Sequence, residues 1–217
     1  MATRRFVFSS LALASLLIVP AVCLGQDLKP VALPKPQTDG GKPLMQALKE
    51  RKSTREFSAE KLPLQTLSNL LWAAAGVTRA DGRRTAPSAA NRQEIDIYVA
   101  APEALYVYEP KEHRLQPVVA EDLRGLTGVQ PFVREAAVNL VYVADMAKMG
   151  TVSAEDKVTW PAYNAGFIAQ NVYLYCASEG LAVVVRAMVD RAALAKAMKL
   201  RPDQRILIAQ SVGYPRK

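Results

Sequence analysis

Hydrophobic and polar positions along the chain change period several times, and each change marks an element. From Leu44 to Arg51 the apolar residues Leu44, Ala47 and Leu48 recur on one helical face. Pro63 opens a stronger helix running to about Ala75, with Leu64, Leu67, Leu70, Leu71 and Ala74 on its stripe and Gly76 as its stop. Residues 77–93 are polar and rich in turn formers. The period then falls to two: Glu94 to Ala100 reads as a strand, and Leu105 to Tyr108 with His113 to Val119 reads as a hairpin turned by residues 109–112. Ala137 to Ala144 is a continuous apolar run suited to a central strand. Ala162 to Ser178 is apolar nearly all round, as expected of a helix buried in the protein or at a subunit interface. Leu181 to Arg186, Arg191 to Lys199 and Arg205 to Val212 follow as strand, helix and strand. Strands and helices mingle without strict alternation, which predicts an α+β class with one mixed central sheet wrapped by helices.

The first 42 residues follow other rules. Arg4 and Arg5 precede a mostly apolar run, Phe6 to Val22, and Cys23-Leu24-Gly25 places small residues ahead of Gln26. Residues 1–25 therefore read as a signal peptide. Ser9, Ser10 and Pro20 interrupt an apolar run already near the lower limit for a span, so cleavage is expected in place of stable membrane insertion. The mature protein would be periplasmic or secreted. Val22 before Cys23 argues against lipidation. Thr3-Arg4-Arg5-Phe6-Val7-Phe8 resembles a twin-arginine signal, which suits a protein folded around its cofactor before export. Residues 26–42, rich in Pro, Gly and polar residues, read as a flexible arm, with the ordered domain spanning 43–217.

Composition narrows the chemistry. Half of the 217 residues are hydrophobic and 22% are charged, an ordinary globular balance. The formal net charge of +8 falls by two if Arg4 and Arg5 leave with the signal. Cations gather in knots at 51–55, 83–84 and 216–217, without the long basic stripe and interleaved aromatics of a nucleic-acid surface. Separate knots suit small phosphate-bearing ligands better. Cys176 alone remains beyond the signal, so no intrachain disulfide is expected, and its apolar surroundings make it a core residue. No Ser/His/Asp triad or metal cluster is apparent. His113, the one histidine, falls in the hairpin and reads as a solvated turn residue.

Four segments carry candidate chemistry. Arg51, Ser53 and Arg55 offer two guanidinium groups and a hydroxyl from one loop, enough to chelate a phosphate or a polar ring edge; a solvated charge cluster would look the same. In Ala86 to Gln93, Pro87 fixes a turn, small residues around Ser88 permit close backbone approach, and Asn91 offers both donor and acceptor; an ordinary turn is the plainer reading. Gly180 to Met188 joins the long helix to a strand, with backbone amides free to face a ring or simply to lie buried. Arg216 and Lys217 close the sequence as two more phosphate-ready cations or as a solvated tail.

Taken in order, Arg-x-Ser-x-Arg-x-Phe (51–57), Pro-Ser-x-x-Asn-x-Gln (87–93), Gln170-Asn171 leading into Gly180-Leu181, and Gly213-Tyr214-Pro215 resemble the nitroreductase superfamily of FMN proteins. Leu105-Tyr106-Val107-Tyr108-Glu109-Pro110 and His113-Arg114-Leu115 are most similar to its SagB/ThcOx-type branch. The resemblance covers about residues 43–217. It implies a homodimer with FMN at the subunit interface. Arg51 and Ser53 would hold the phosphate with Lys52 nearby, Arg55 would face the pyrimidine side of the ring, and Asn91 would read that edge. Pro87 and Ser88 would lie against the ring from the partner subunit. Backbone amides of Ala187 and Met188 would approach the redox nitrogen, and Arg216 or Lys217 would add phosphate charge. Ala90 and Ala182 depart from the family pattern, and the sequence stops soon after Gly213-Tyr214-Pro215. No catalytic side chain is assigned, because the flavin carries the chemistry. The implied activity is reduction of nitro, quinone or related small acceptors with NAD(P)H or another donor. Azoline oxidation in peptides and a non-enzymatic electron-transfer role are the alternatives.

Overall fold

In the computed structural model, residues 28–217 are described; the signal-like segment, with Arg4, Arg5 and Cys23, lies outside them. The strands are β1 (Val31–Ala32), β2 (Ile95–Ala100), β3 (Leu105–Glu109), β4 (Arg114–Val119), β5 (Val138–Asp145), β6 (Ala182–Arg186) and β7 (Gln204–Gly213). The helices are α1 (Leu44–Glu50), α2 (Leu64–Ala75), α3 (Asp156–Glu179) and α4 (Arg191–Ala197). One sheet joins the strands in the order β1-β4-β3-β2-β5-β7-β6. The α+β class is as read, but every pairing is antiparallel where the pattern suggested a mixed sheet. Hairpins and returns join neighbouring strands, so no parallel crossover is needed.

The run 137–144 earns its central place. β5 is buried at every position and pairs with β2 on one side and β7 on the other. Alternation then sorts its side chains between two layers. Leu140, Tyr142 and Ala144 pack with Leu70, Leu71, Ile168 and Val172 from α2 and α3. Val141 and Val143 pack with Leu194 and Met198 from around α4. Asp190 starts α4 by accepting from the Ala193 N–H at 3.0 Å.

Helix boundaries follow the pattern except where local chemistry overrides it. α3 begins at Asp156, six residues before the predicted start, after a turn in which the Asp156 N–H donates to Ser153 Oγ (3.0 Å) and that hydroxyl donates to the Asp156 carboxylate (2.7 Å). Pro161 masks this extension in the sequence, since proline lacks a backbone donor. α3 ends at Gly180, whose φ of 70° is the left-handed cap that glycine accepts most easily. On α2, Leu67, Leu70, Leu71 and Ala74 are buried as expected, but Leu64 is exposed in the first turn; on α1, Ala47 is buried while Leu44 and Leu48 face outward.

Two further expectations are corrected. Residues 31–32 were assigned to a flexible arm, yet they form the edge strand β1 on β4, and Leu33 is buried. The cause lies in His113. This residue is half-buried, not solvated, with its Nε2 at 2.7 Å from Ser68 Oγ and its Nδ1 at 2.9 Å from the Tyr108 hydroxyl. Ser68 Oγ donates to the Pro34 carbonyl and the Leu33 N–H donates to the His113 carbonyl, so the hairpin turn grips the arm. The pattern assigns Nε2–H as donor to Ser68 and Nδ1 as acceptor from Tyr108, which is the neutral imidazole.

Burial lowers the His113 pKa, opposed by its surroundings near Pro34. The unfolded chain therefore binds the proton first as pH falls, and the stability this contact contributes is present above about pH 6.5 and lost below it. Thermal melts between about pH 7.5 and 5.5 should show a falling midpoint. His113→Asn should flatten that slope, because an amide does not titrate and Asn tolerates the φ of 46° at this position. An unchanged slope in the variant would remove His113 from the pH response.

Candidate functional site

The outer edge of β6 organises the site. Residues 51–57 run extended along it: the Thr54 N–H donates to the Val183 carbonyl at 2.9 Å, and Phe57 bridges to Pro215. Along this run the side chains divide. Arg51 lays its guanidinium over the Tyr173 ring, 5.3 Å from its centre, and Ser53 Oγ lies 2.8 Å from the Tyr173 hydroxyl. Lys52 and Thr54 instead line a hollow of about 520 Å³ with Lys42, Glu50 and Leu181. The structure thus brings Arg51 and Ser53 together and turns Lys52 to another side. Arg55 is exposed.

Tyr173 is the residue that sequence reasoning missed. It lies on α3, and its hydroxyl accepts from the Val185 N–H at 2.9 Å. With that lone pair taken, the phenol can donate to Ser53 and leave the serine O–H free for an incoming oxygen. A guanidinium, a free hydroxyl and an aromatic backing form a donor set fit for a phosphate. The available signal was weak: Tyr173 is one of three tyrosines on α3, with Tyr163 and Tyr175, and a buried phenol seeks a partner.

Ala187 and Met188 follow β6 directly, both exposed, Met188 by 63%. Their carbonyls are engaged, Met188's by the Val129 N–H and Ala187's by the Val189 N–H. Their own N–H groups have no acceptor among the turn and loop hydrogen bonds of the described residues. The preceding Arg186 is buried without a carboxylate, holding Thr127 and Asn139, and burial lowers its pKa to about 10. Its Nη1 sits where a Cβ on Gly128 would be, so only glycine fits there.

The loop bearing Pro87, Ser88 and Asn91 lies elsewhere. Asn164, buried on α3, accepts from the Ala89 N–H (3.2 Å) and donates to the fully buried Glu94 (2.7 Å). Nine residues of helix, roughly 13 Å of axial rise, separate Asn164 from Tyr173. Within one protomer the loop and the Arg51–Ser53 pair are therefore apart. Pro87 is exposed and Ser88 half-buried, its Oγ accepting from the Gln93 N–H. Asn91 is exposed, and its carbonyl oxygen is used by the Gln93 side chain, leaving its amide donors outward. Glu94 Oε2 and Arg84 Nε, both buried and without protein partners, border one narrow cavity under the loop. Burial lowers the Arg84 pKa, and the nearby carboxylates oppose that effect.

The C-terminal cations are not with Arg51. The Arg216 N–H pairs with the Glu56 carbonyl, but its guanidinium binds Glu135 at 2.6 Å beside a second hollow. Lys217 is exposed at the end. Ala182, where a glycine was expected, is a buried strand residue packed with Phe57 and Val184, so no left-handed conformation is required there.

Strain marks the 88–93 loop. Ala90, Asn91 and Gln93 all have φ near +50°. Asn tolerates this region, but for Ala it costs about 1–2 kcal/mol. Ala90→Gly should relieve most of that cost, offset by the extra entropy of an unfolded glycine, for a net gain of up to about 1 kcal/mol in urea unfolding. A clear loss would mean that the conformation at Ala90 carries no strain.

Comparison with known proteins identifies the family. A family model described as the nitroreductase family matches residues 48–214. A protein of Methanocaldococcus jannaschii bearing the name nitroreductase is 31% identical over 151 residues, which are 65% of this chain and 76% of its own. A solved structure of a Ralstonia eutropha JMP134 protein, also named as a nitroreductase, is 45% identical, covers 89% of this chain and 93% of its own, and superposes with a TM-score of 0.85. A chain of the E. coli microcin synthetase McbBCD complex with truncated pro-MccB17 shares the fold alone, at 20% identity and a TM-score of 0.67, over 98% of this chain and 85% of its own.

Proposed function

Because this chain belongs to the nitroreductase family, we propose that it is an FMN-dependent oxidoreductase that reduces nitro, quinone or related small acceptors with NAD(P)H or another donor. The observation that carries the reading is the Arg51–Ser53–Tyr173 cluster, an oriented cation and hydroxyl at the edge of β6 beside exposed backbone donors. Arg51 and Ser53 would hold the phosphate. Ala187 and Met188 would offer N–H groups to the ring, and Arg55 would place a cation near it. FMN, when bound, supplies the hydride and electron chemistry. The protein contributes position, a positive field and exclusion of water.

The site is completed by a second copy in this proposal. α3 exposes Tyr163 and Phe167, by 59% and 46%, with Ala162, Gly166 and Gln170 on the same stripe. That stripe overlaps Asn164, which holds the 88–91 loop, and stops short of Tyr173, which holds Arg51 and Ser53. A two-fold axis midway between those two positions, near Phe167 and Gln170, would bring one copy's loop towards its partner's Arg51, since an isologous contact exchanges position i for position j. Covering the apolar stripe would supply the driving force.

Export also belongs to the proposal, resting on the signal-like residues 1–25. Cys176, the one cysteine of the described residues, is buried, so no disulfide forms among them. NAD(P)H is scarce outside the cytoplasm, so an exported enzyme would draw on another donor in place while still accepting NAD(P)H in the assay. Azoline oxidation in peptides is a second reading, favoured by the shared fold of the microcin synthetase chain.

Purified protein should be yellow. Anaerobic NAD(P)H should bleach it, and a nitroarene should restore the colour; protein that takes up no FMN would exclude all of these readings. Arg51→Glu should weaken FMN binding by roughly 3 kcal/mol, about a hundredfold, by replacing a phosphate partner with a like charge. Equal flavin occupancy in that variant would remove Arg51 from the site. Phe167→Asp should shift the protein from dimer to monomer in light scattering and reduce FMN retention with it. A wild-type protein that is monomeric at micromolar concentration would count against the shared site.

A further inference from the structure

A second hollow, of about 610 Å³, lies at the far end of the 51–57 segment. Its size is that of a small-molecule site. The floor is apolar, with Phe57, Pro102 and Ala137, and Phe57 is braced by Phe132 at 6.0 Å between ring centres. Four cations, Lys61, Arg124, Arg134 and Arg216, and one acid, Glu135, line the rest of it.

The three arginines of this rim are held in place, and Lys61 stands exposed beside them. Arg124 is fixed by Asp122, with Nε at 3.0 Å and Nη2 at 2.8 Å, and by the Ala136 carbonyl at 3.0 Å. Arg134 lies flat on the backbone of Gly125, where a Cβ would sit 2.4–2.8 Å from its Nε, Cζ and Nη2. Glycine at 125 therefore makes the cradle in which this guanidinium rests. Arg216 is held by Glu135. Neither Arg134 nor Lys61 makes an ion pair among the described residues. Asp122 already serves Arg124 and feels the charge of Arg134 as well, both of which lower its pKa. Four cations thus meet two carboxylates, leaving two positive charges over an apolar floor.

We propose that this hollow binds an organic phosphate, with the dianionic head on Arg134 and Lys61 and an apolar body on Phe57, Pro102 and Ala137. Two surplus positive charges match a phosphate monoester above its second pKa, and guanidinium suits it geometrically. The site is separate from Arg51–Ser53 and does not rest on the flavin reading.

Phenyl phosphate is the probe, titrated calorimetrically into purified protein with excess FMN at about pH 8, where the ester is a dianion. Saturable binding is expected, weakened about tenfold or more in Arg134→Gln by loss of a charge-assisted contact. Gly125→Ala should weaken it similarly while preserving the fold, because the added Cβ meets only the end of the Arg134 side chain. Inorganic phosphate should bind more weakly than phenyl phosphate, since it cannot use the floor. Absence of saturable binding, or equal binding in both variants and wild type, would overturn the site; equal affinity for inorganic phosphate would overturn the apolar subsite.

Discussion

The outer edge of β6 has no neighbouring strand, so its backbone groups must find partners elsewhere. Two different groups meet that demand. The Thr54 N–H takes the Val183 carbonyl, and the Tyr173 hydroxyl takes the Val185 N–H. Both satisfy the sheet and, in doing so, place Arg51 and Ser53. The same extended segment carries Phe57 into a buried pocket against Val184 and receives the residues after β7 at Pro215 and Arg216. A structural necessity at one sheet edge thereby positions the basic cluster, the chain terminus and the second hollow.

α3 links this edge to the rest of the molecule. Its buried face packs on α2 and the sheet, its outward face carries Tyr163 and Phe167, and its two polar buried residues each hold a loop in place. Asn164 ties the strained 88–93 loop to Glu94, and Tyr173 ties the basic segment to β6. One helix sets both halves of the candidate site while keeping them roughly 13 Å apart along its axis. Completing the site by two-fold symmetry follows from that spacing in the proposed dimer.

Charge is handled unevenly. The surface ion pairs are exposed and contribute little to stability. Arg186 is buried with only neutral acceptors, a costly placement that fixes Gly128 and Val129 against Met188. Arg134 rests on a glycine cradle without an ion pair. Guanidinium groups held without a full complement of carboxylates cluster around the two ends of the 51–57 segment and the end of β6, which is where ligands are proposed.

Hydrophobic period alone determined most of the architecture. Seven of eight residues in the central run became β5, and the stripe of α2 was legible because Leu67, Leu70, Leu71 and Ala74 must share one face. The chemistry of Arg51 and Ser53 was visible as a residue set, and the family followed from the order of four motifs. Tertiary structure decided what no local pattern encodes. The grip of His113 on the arm, the pairing of Ser53 with Tyr173, and the turn of Arg216 to Glu135 join residues distant in sequence. Period reports which side of an element is apolar, but a polar side chain finds its partner only after the chain has folded. For the same reason, the strain at Ala90 and the Gly125 cradle appear only once backbone angles and close approaches exist.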